Sequence, residues 1–364
     1  MPNRKRNQMP LKVLVAMSGG VDSAMAAWFL KERGYEPLGL SFRIWRLKPD
    51  PQQELALTRA GAVCEKLAIP HLIEDLQAEF EAVVVRKFID EYLAGWTPNP
   101  CVFCNRVVKW SNLLRVADAQ AIAQVATGHY ARLRQAPDRR WQILKACDES
   151  KDQSYALWQL PQDALARTIF PMGDKRKADI KRLAQEIGLL TEEVRESQDV
   201  CFIPENDYRR FLRDYAPDAI SHIGEGELVD ESGKVVGRHH GFFNFTIGQR
   251  RGFGIGFKER MYVKALDAPQ NRVVIAADSG LLFTGMIIGG INWVGKSPME
   301  QFTGTVKIRY NHPGAPATLQ ALSGNQYRVV FEQAQRAICP GQSAVVYQDD
   351  ALIMGGVIET ALTE

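Results

Sequence analysis

Val13-Leu14-Val15-Ala16-Met17-Ser18-Gly19-Gly20-Val21-Asp22-Ser23 is the stretch on which the fold turns. Residues 13–17 form an apolar run of the length of a buried parallel strand. Ser18-Gly19-Gly20 ends it, and paired glycines let a backbone turn tightly and approach a ligand closely. Asp22 and Ser23 open an apolar-rich run over residues 24–33, which predicts a helix closed by Gly34. Strand, glycine turn and helix start together aim backbone N–H groups and the positive helix end at one point, the arrangement that binds phosphate. A plain strand-to-helix turn is the alternative.

The loop is not a Walker A sequence, because no Lys follows its glycines, and the dinucleotide pattern G-x-G-x-x-G is absent as well. Ser18-Gly19-Gly20-Val21-Asp22-Ser23 instead resembles the loop of the PP-loop ATP pyrophosphatase superfamily. Its members split ATP to AMP and pyrophosphate and activate an oxygen by adenylation.

Outward from the loop, strands are expected at 37–42, from 69, and at 124–130, with helices at 55–68, 80–93 and 105–119. Strands alternating with helices predict an α/β fold with a doubly wound parallel sheet. Phe42 ends the second strand and would line either an adenine pocket or the core. A charged, Pro-bearing loop is expected at 45–53, and a hairpin at 131–134 with 141–145. A basic helix over 175–187 carries Lys175, Arg176, Lys177, Lys181 and Arg182, read as a solvated face or one that tracks phosphates. Residues 207–215 form a last short helix. Beyond 216 the pattern is all-β: strands at 226–229, 235–238, 262–266 and 272–276, then near 304–309, 317–321, 327–331, 343–347 and 351–358. The expected domains are 1–215, 216–280 and 281–364, an α/β domain followed by two small β units.

The whole chain has 364 residues, a net charge of +3 and 46% hydrophobic content, an ordinary soluble composition that neither demands nor excludes nucleic acid. No run approaches the ~18 apolar residues of a membrane span. The basic start, residues 1–8, is not followed by a signal peptide's apolar segment, so a cytosolic protein without a membrane partner is expected. Six cysteines in such a chain are not a disulfide scaffold.

Thr97-Pro98-Asn99-Pro100-Cys101-Val102-Phe103-Cys104-Asn105 reads as a proline-stiffened loop entering a helix. Cys104 at the expected helix start would have its thiolate favoured, which suits a sulfur nucleophile. Other readings stay open. A zinc site lacks a second ligand pair nearby. A cluster held by Cys101, Cys104 and Cys201 would leave one iron open. Two inert buried cysteines are the bland case. Cys201 lies in Glu196-Ser197-Gln198-Asp199-Val200-Cys201-Phe202-Ile203-Pro204, polar before it and apolar after it, as for a thiol at the mouth of a sheet or a structural cysteine. The glycine-dense stretch 242–257, with Gln249-Arg250-Arg251, would be a mobile lid, an RNA contact or a rigid turn region.

The chain as a whole resembles the tRNA-specific 2-thiouridylases, which place sulfur at C2 of the wobble uridine, position 34. The matching pieces are Ala16-Met17-Ser18-Gly19-Gly20-Val21-Asp22-Ser23, Thr97-Pro98-Asn99-Pro100, Cys104-Asn105, Ala126-Thr127-Gly128-His129-Tyr130, Lys151-Asp152-Gln153-Ser154-Tyr155, Cys201-Phe202-Ile203, Gly248-Gln249-Arg250, Arg309-Tyr310 and Gly341-Gln342, in family order. The resemblance implies that Ala16, Met17, Ser18, Gly19, Gly20, Val21, Asp22, Ser23, Phe42 and Gly128 contact ATP, the substrate, which magnesium accompanies. It makes Cys104 the nucleophile and Cys201 the carrier of an incoming persulfide, the pair able to end as a disulfide. Asn99, Pro100 and Cys101 would sit beside the target base. Lys151, Asp152, Gln153, Arg309 and Tyr310 would touch tRNA, with His129 and Gln342 near the substrate and the last domain a barrel contacting tRNA. The implied partners are tRNA and a persulfide donor, a cysteine desulfurase or a relay protein. One departure is that some members carry Asp where Cys101 stands.

The chemistry agrees: a uracil oxygen leaves poorly, adenylation makes AMP the leaving group, and a persulfide sulfur can then attack C2 of a flipped-out base. The rivals are a PP-loop ligase acting on a small molecule, which needs neither cysteine, and a non-catalytic RNA-binding protein with a degenerate loop.

Overall fold

The computed structural model describes residues 10–44, 51–189, 200–257 and 259–363. The basic start at 1–8, most of the loop expected at 45–53 and the polar stretch 196–199 lie outside them. The chain divides into two compact units, residues 1–78 with 105–197 and residues 79–104 with 198–364.

The first unit is built on a parallel sheet. Its strands are β1 (Lys12–Ala16), β2 (Glu36–Arg43), β3 (His71–Asp75), β4 (Gln124–Ala126) and, after the hairpin of β5 (Arg132–Gln135) and β6 (Trp141–Leu144), β7 (Thr168–Ile169), in spatial order β3-β2-β1-β4-β7. Successive side chains of β1 point to opposite faces, and both faces are covered. Val13 and Val15 pack against Ala24, Met25, Ala27 and Leu30 of helix α1 (Val21–Glu32) and Ala60 and Val63 of helix α2 (Pro51–Lys66). Leu14 packs the other way with Leu40 and with Leu113, Val116 and Ala117 of helix Ser111–Ala119. Each such side chain stabilises by about 1.5–3 kcal/mol. The central strand is therefore buried on both sides, and the loop leaving its carboxyl end is fixed by the core beneath it.

The second unit contains the helical run Gln77–Phe80, Glu81–Val85 and Arg86–Leu93 from Glu79 onward, the short helix Pro100–Cys104, helix Tyr208–Tyr215, and two β structures. Strands β8 (Gly226–Val229), β9 (Val235–His239), β10 (Tyr262–Asp267) and β11 (Arg272–Ala276) form a sheet in order β10-β11-β8-β9. Strands β12 (Leu282–Trp293), β13 (Gln301–Lys307), β14 (Ala315–Leu322), β15 (Gln326–Arg336), β16 (Ser343–Gln348) and β17 (Ala351–Leu362) pair antiparallel in order β12-β15-β14-β13-β16-β17, and β12 pairs with β17 to close a barrel. The closing strand β12 was not among the expected strands. Its glycines at 285, 289 and 290 interrupt the alternating pattern, and its pairings shift register near Gly285 and Gly289.

Candidate functional site

In the first unit the loop stretch does what its residue types allow. Gly19 has φ +77°, and a Cβ there would lie 2.2 Å from the backbone oxygen of Ala56. Both restrictions demand glycine. Gly20 caps α1 in extended conformation without a side-chain cap bond. Helix starts leave their first backbone N–H groups unpaired, so this end of α1 presents donors and positive potential. Ser23 Oγ accepts from Ser18 N (3.1 Å) and donates to Gly20 O (3.0 Å), stapling the loop to itself. Met17 is tied on both sides: its N–H donates to Leu40 O (2.8 Å), and its carbonyl accepts from Ser41 Oγ (2.7 Å). Gly128 presses on the same helix start, since a Cβ there would come within 2.7 Å of Asp22 C and Ser23 N. Phe42 packs partly against the core around Leu14 and Leu40.

Two side chains hold Asp22 in the first turn of α1. Tyr130 Oη donates to Oδ1 at 2.8 Å, and Lys177 Nζ reaches both oxygens at 2.7 and 2.6 Å. Lys177 is buried, 5% exposed. This corrects the basic-helix expectation of one phosphate-tracking face. Three of the five cations are engaged locally: Lys177 on Asp22, Lys175 over the Phe29 ring (5.0 Å), and Arg182 on Asp179 and Glu186.

Tyr130 also couples the loop to the Lys151-Asp152-Gln153 segment. Gln153 N donates to Tyr130 O (2.8 Å), and Tyr130 N donates to Gln153 Oε1 (2.9 Å). Asp152 is buried, and its carboxylate accepts from Ala146 N, Ser154 N and Ser154 Oγ at 3.0, 3.2 and 2.9 Å. The Asp152 carboxylate thus turns inward and shapes the turn that carries Lys151. His129 lies beside Trp110 and Phe170, with ring centroids 5.4 and 6.4 Å away, and its Nδ1 pairs with Thr127 Oγ1 at 2.9 Å. Burial first, and Lys109 second, push its pKa down to about 3, so the ring is neutral at physiological pH.

The second unit holds both candidate sulfur residues. The helix bearing Cys104 begins at Pro100, four residues earlier than expected. Cys101 therefore occupies the exposed first turn, and Cys104 is buried beyond it. The helix-start argument for a Cys104 thiolate does not hold, because the end effect fades within one turn. The short helix packs on the turn Glu81–Val85. Phe202 packs on the flanks of that turn, its ring 5.6 Å from Phe80 and 5.2 Å from Phe88, and 5.5 Å from Phe211. Cys201 beside it is exposed. Both cysteines are therefore placed by supports on a single helical run. Asp207 caps the next helix, accepting from Arg209 N and Arg210 N at 3.1 Å each.

Gln342 does not reach outward. Its Nε2 donates to Thr97 O (3.0 Å) and Pro98 O (3.2 Å), and Thr97 N donates to Pro340 O (2.9 Å). Gly341, at φ +89°, lets these backbones touch, since a Cβ would lie 2.9–3.0 Å from Thr97 atoms. The barrel strand pair thereby clamps the loop that carries Asn99, Pro100 and Cys101. Asn99 is half-buried and Pro100 buried. At the other end of β13, Tyr310 is 43% exposed, and Arg309 donates to Arg336 O at 3.4 Å.

Among the described residues no three His, Cys, Asp or Glu side chains gather as metal ligands do. Cys101, Cys104 and Cys201 thus do not form such a group. Burial raises two other thiols, Cys64 to about 11 and Cys339 to about 12, which disfavours them as nucleophiles. Sequence reasoning missed Lys177 as a site residue and quoted Tyr130 without a role. Nothing local marks either one, because Lys177 is 155 residues from Asp22. No helix among the described residues is long and apolar enough to cross a membrane.

Comparison with known proteins addresses the whole chain. Residues 11–205 match the tRNA methyl transferase HUP domain, 209–277 the tRNA methyl transferase PRC-barrel domain, and 283–358 the aminomethyltransferase beta-barrel domain. The chain is 40% identical over 365 residues to the tRNA-specific 2-thiouridylase MnmA of Geobacter metallireducens, covering 97% of this chain and 98% of that one. It is 41% identical to tRNA-specific 2-thiouridylase MnmA 1 of Clostridium botulinum strain Loch Maree, covering 96% and 100%. With MnmA of Natranaerobius thermophilus the identity is 40%, covering 98% and 99%. The first domain's description speaks of methyl transfer, but relatives that align from end to end decide the matter. The chain belongs to the tRNA-specific 2-thiouridylase family.

Proposed function

We propose that this protein is a tRNA-uridine 2-sulfurtransferase. It adenylates the C2 oxygen of the wobble uridine with ATP and replaces that oxygen with sulfur from a cysteine persulfide. The observation that carries the reading is the end-to-end likeness to 2-thiouridylases in a chain with both kinds of required part: a phosphate-shaped loop at 17–23, and a buried Cys104 and exposed Cys201 braced on one helical run. Residues 16–23, with Gly128 and Phe42, receive ATP. The oxygen attacks the α-phosphorus and pyrophosphate leaves. Cys201, being exposed, accepts sulfur from a persulfide donor protein. The terminal sulfur attacks C2 and AMP departs. The Cys104 thiolate then attacks Cys201 Sγ, which leaves sulfur on C2 and closes a Cys104–Cys201 disulfide for an external thiol to reduce.

Asn99, Pro100 and Cys101 receive the flipped base, on a loop that Gln342 holds from behind. Some family members carry at the Cys101 position an aspartate assigned as a base, and a thiol there leaves that acid–base role unfilled. Lys151, Gln153, Arg309 and Tyr310 meet the RNA, with Tyr310 offering a stacking face and His129 a neutral ring. Asp22 is the acidic residue of the stretch 16–23 and is engaged by Lys177 and Tyr130. That carboxylate is therefore already taken up by protein groups. The domains assigned are 1–215 for adenylation, 216–280, and 281–364 for tRNA contact, in a cytosolic protein.

Mass spectrometry of tRNA digests after incubation with ATP and a persulfide source tests the reading. The expected product is uridine 34 with one oxygen exchanged for sulfur, dependent on ATP. No gain with any tRNA from a host lacking its own 2-thiouridylase rejects it.

A further inference from the structure

The loop at 17–23 lacks the lysine that a Walker A loop carries in its own sequence, yet a lysine ammonium stands against its helix start. Lys177 Nζ lies 2.7 and 2.6 Å from the two oxygens of Asp22, in the first turn of α1. We propose that Lys177 is the phosphate-binding cation of this loop, supplied from a distant helix, and that Asp22 keeps it in place until a triphosphate arrives.

The geometry is that of a holder and a held charge. The Lys177 side chain is 7% exposed and that of Asp22 is 32% exposed, so the pair is closed on the lysine side and open to solvent on the carboxylate side. Tyr130 fixes the carboxylate by its hydroxyl at 2.8 Å and lies under the ammonium with its ring centroid 5.6 Å away. The start of the lysine's helix is fixed too, because Lys177 N donates to Asp148 Oδ2 at 2.9 Å. An ammonium taken out of water is tolerated only with a charge partner. The Asp22 carboxylate supplies that partner to Lys177. A triphosphate brings more negative charge and more acceptor oxygens to the same helix start, where unpaired N–H groups already favour an anion. The ammonium then shifts its bonds from Asp22 to phosphate oxygens with no large movement. It offsets charge on the leaving pyrophosphate, as a lysine does in other phosphate loops.

The inference rests on the reading of the loop as an ATP site, and the experiment separates the two. Calorimetry on the full chain compares ATP, AMP and inorganic pyrophosphate for wild type, Lys177→Gln and Lys177→Arg, with thermal melting as the folding control. Lys177→Gln is expected to weaken ATP and pyrophosphate by about tenfold or more, the loss of one charge-assisted contact, and AMP by no more than about threefold. Lys177→Arg is expected to recover most of the ATP affinity. Equal weakening of ATP and AMP in both variants, or no weakening of either ligand, overturns the proposal and leaves Lys177 a structural strut. Should Lys177→Gln fail to fold, Lys177→Arg decides alone: loss of ATP and AMP in equal measure overturns it, and retention of ATP within about fivefold supports it. Wild type that binds none of the three removes the ATP reading itself.

Discussion

Residues 17–23 are held by many specific bonds and close contacts, whereas Cys201 is exposed beside the ring of Phe202. The loop is held by Leu40, Ser41, Ala56, Gly128, Tyr130 and Lys177, each through a specific bond or a backbone contact too close for a side chain. Phe202 instead sits among Phe80, Phe88 and Phe211 through ring contacts that tolerate small rotations. The contrast matches the two tasks proposed for these regions. Stabilising a charge that develops in a fixed place needs donors already in position. Accepting sulfur from another protein and passing it on needs a thiol that is exposed and can move.

Breaking the sulfur side alone gives the largest expected effect. Cys104→Ser and Cys201→Ser should each abolish 2-thiouridine formation, read by mass spectrometry of tRNA, while tRNA-dependent release of pyrophosphate from ATP continues. If either variant still thiolates, that cysteine does not carry the chemistry assigned to it. If pyrophosphate release stops as well, the two regions are not separable in function.

The converse break is Gly19→Ala. The new methyl group would meet the Ala56 carbonyl at 2.2 Å, in a left-handed conformation that L side chains rarely adopt. Such strain costs about 1–3 kcal/mol before the clash is counted, so ATP affinity should fall by roughly 100-fold. Transfer of a persulfide onto Cys201 should be unaffected, as read by alkylation and mass spectrometry. An alanine variant with unchanged ATP affinity would mean that the loop yields where it is drawn as fixed.

The difference between the regions also decided what the sequence could disclose. The phosphate side was legible because strand, glycines and helix are contiguous, and each residue type has one good use there. Its outer supports were not: Lys177 sits in a run of cations that looks like a solvated surface, and only folding shows that one of them is buried. On the sulfur side Phe202 was legible as apolar, but two of its aromatic neighbours, Phe80 and Phe88, come from a segment more than 100 residues away. The helix start was misplaced for a local reason, since Pro100 is well suited to the first turn of a helix and not only to a stiff loop. The barrel's closing strand was missed because glycines erased its alternation, although they are what let it bend and pair on both edges.

A smaller effect sharpens the comparison within the second unit. Gln342→Ala removes two hydrogen bonds to the carbonyls of Thr97 and Pro98. At about 1 kcal/mol each, the loss should lower kcat/KM for tRNA by roughly 30-fold. The Kd for ATP should stay within about twofold. Gln342→Glu, which cannot donate to those carbonyls, should behave like the alanine variant. Wild-type activity in both would show that the clamp is not what orders the loop bearing Asn99 and Cys101.

The mildest expected effect comes from His129, on the phosphate side. Its pKa is about 3 in the folded chain against an ordinary value of 6.5, because burial and Lys109 disfavour the charged ring. Between these values the unfolded chain binds the extra proton and the folded one does not. The stability contributed by the neutral ring is therefore complete above pH 6.5 and is lost as pH falls toward 3. The slope has an upper bound of about 1.4 kcal/mol per pH unit, and a ring with a partly exposed edge contributes less. Denaturant unfolding of wild type and His129→Asn at pH 7, 6 and 5 measures it. The wild-type curve should fall more steeply with acid, and amide exchange over residues 127–131 should quicken first, since His129 directly precedes Tyr130, whose hydroxyl donates to Asp22. Parallel curves would place the proton on some other group. The phosphate side would then owe its rigidity to Lys177 and the glycines without help from the neutral imidazole.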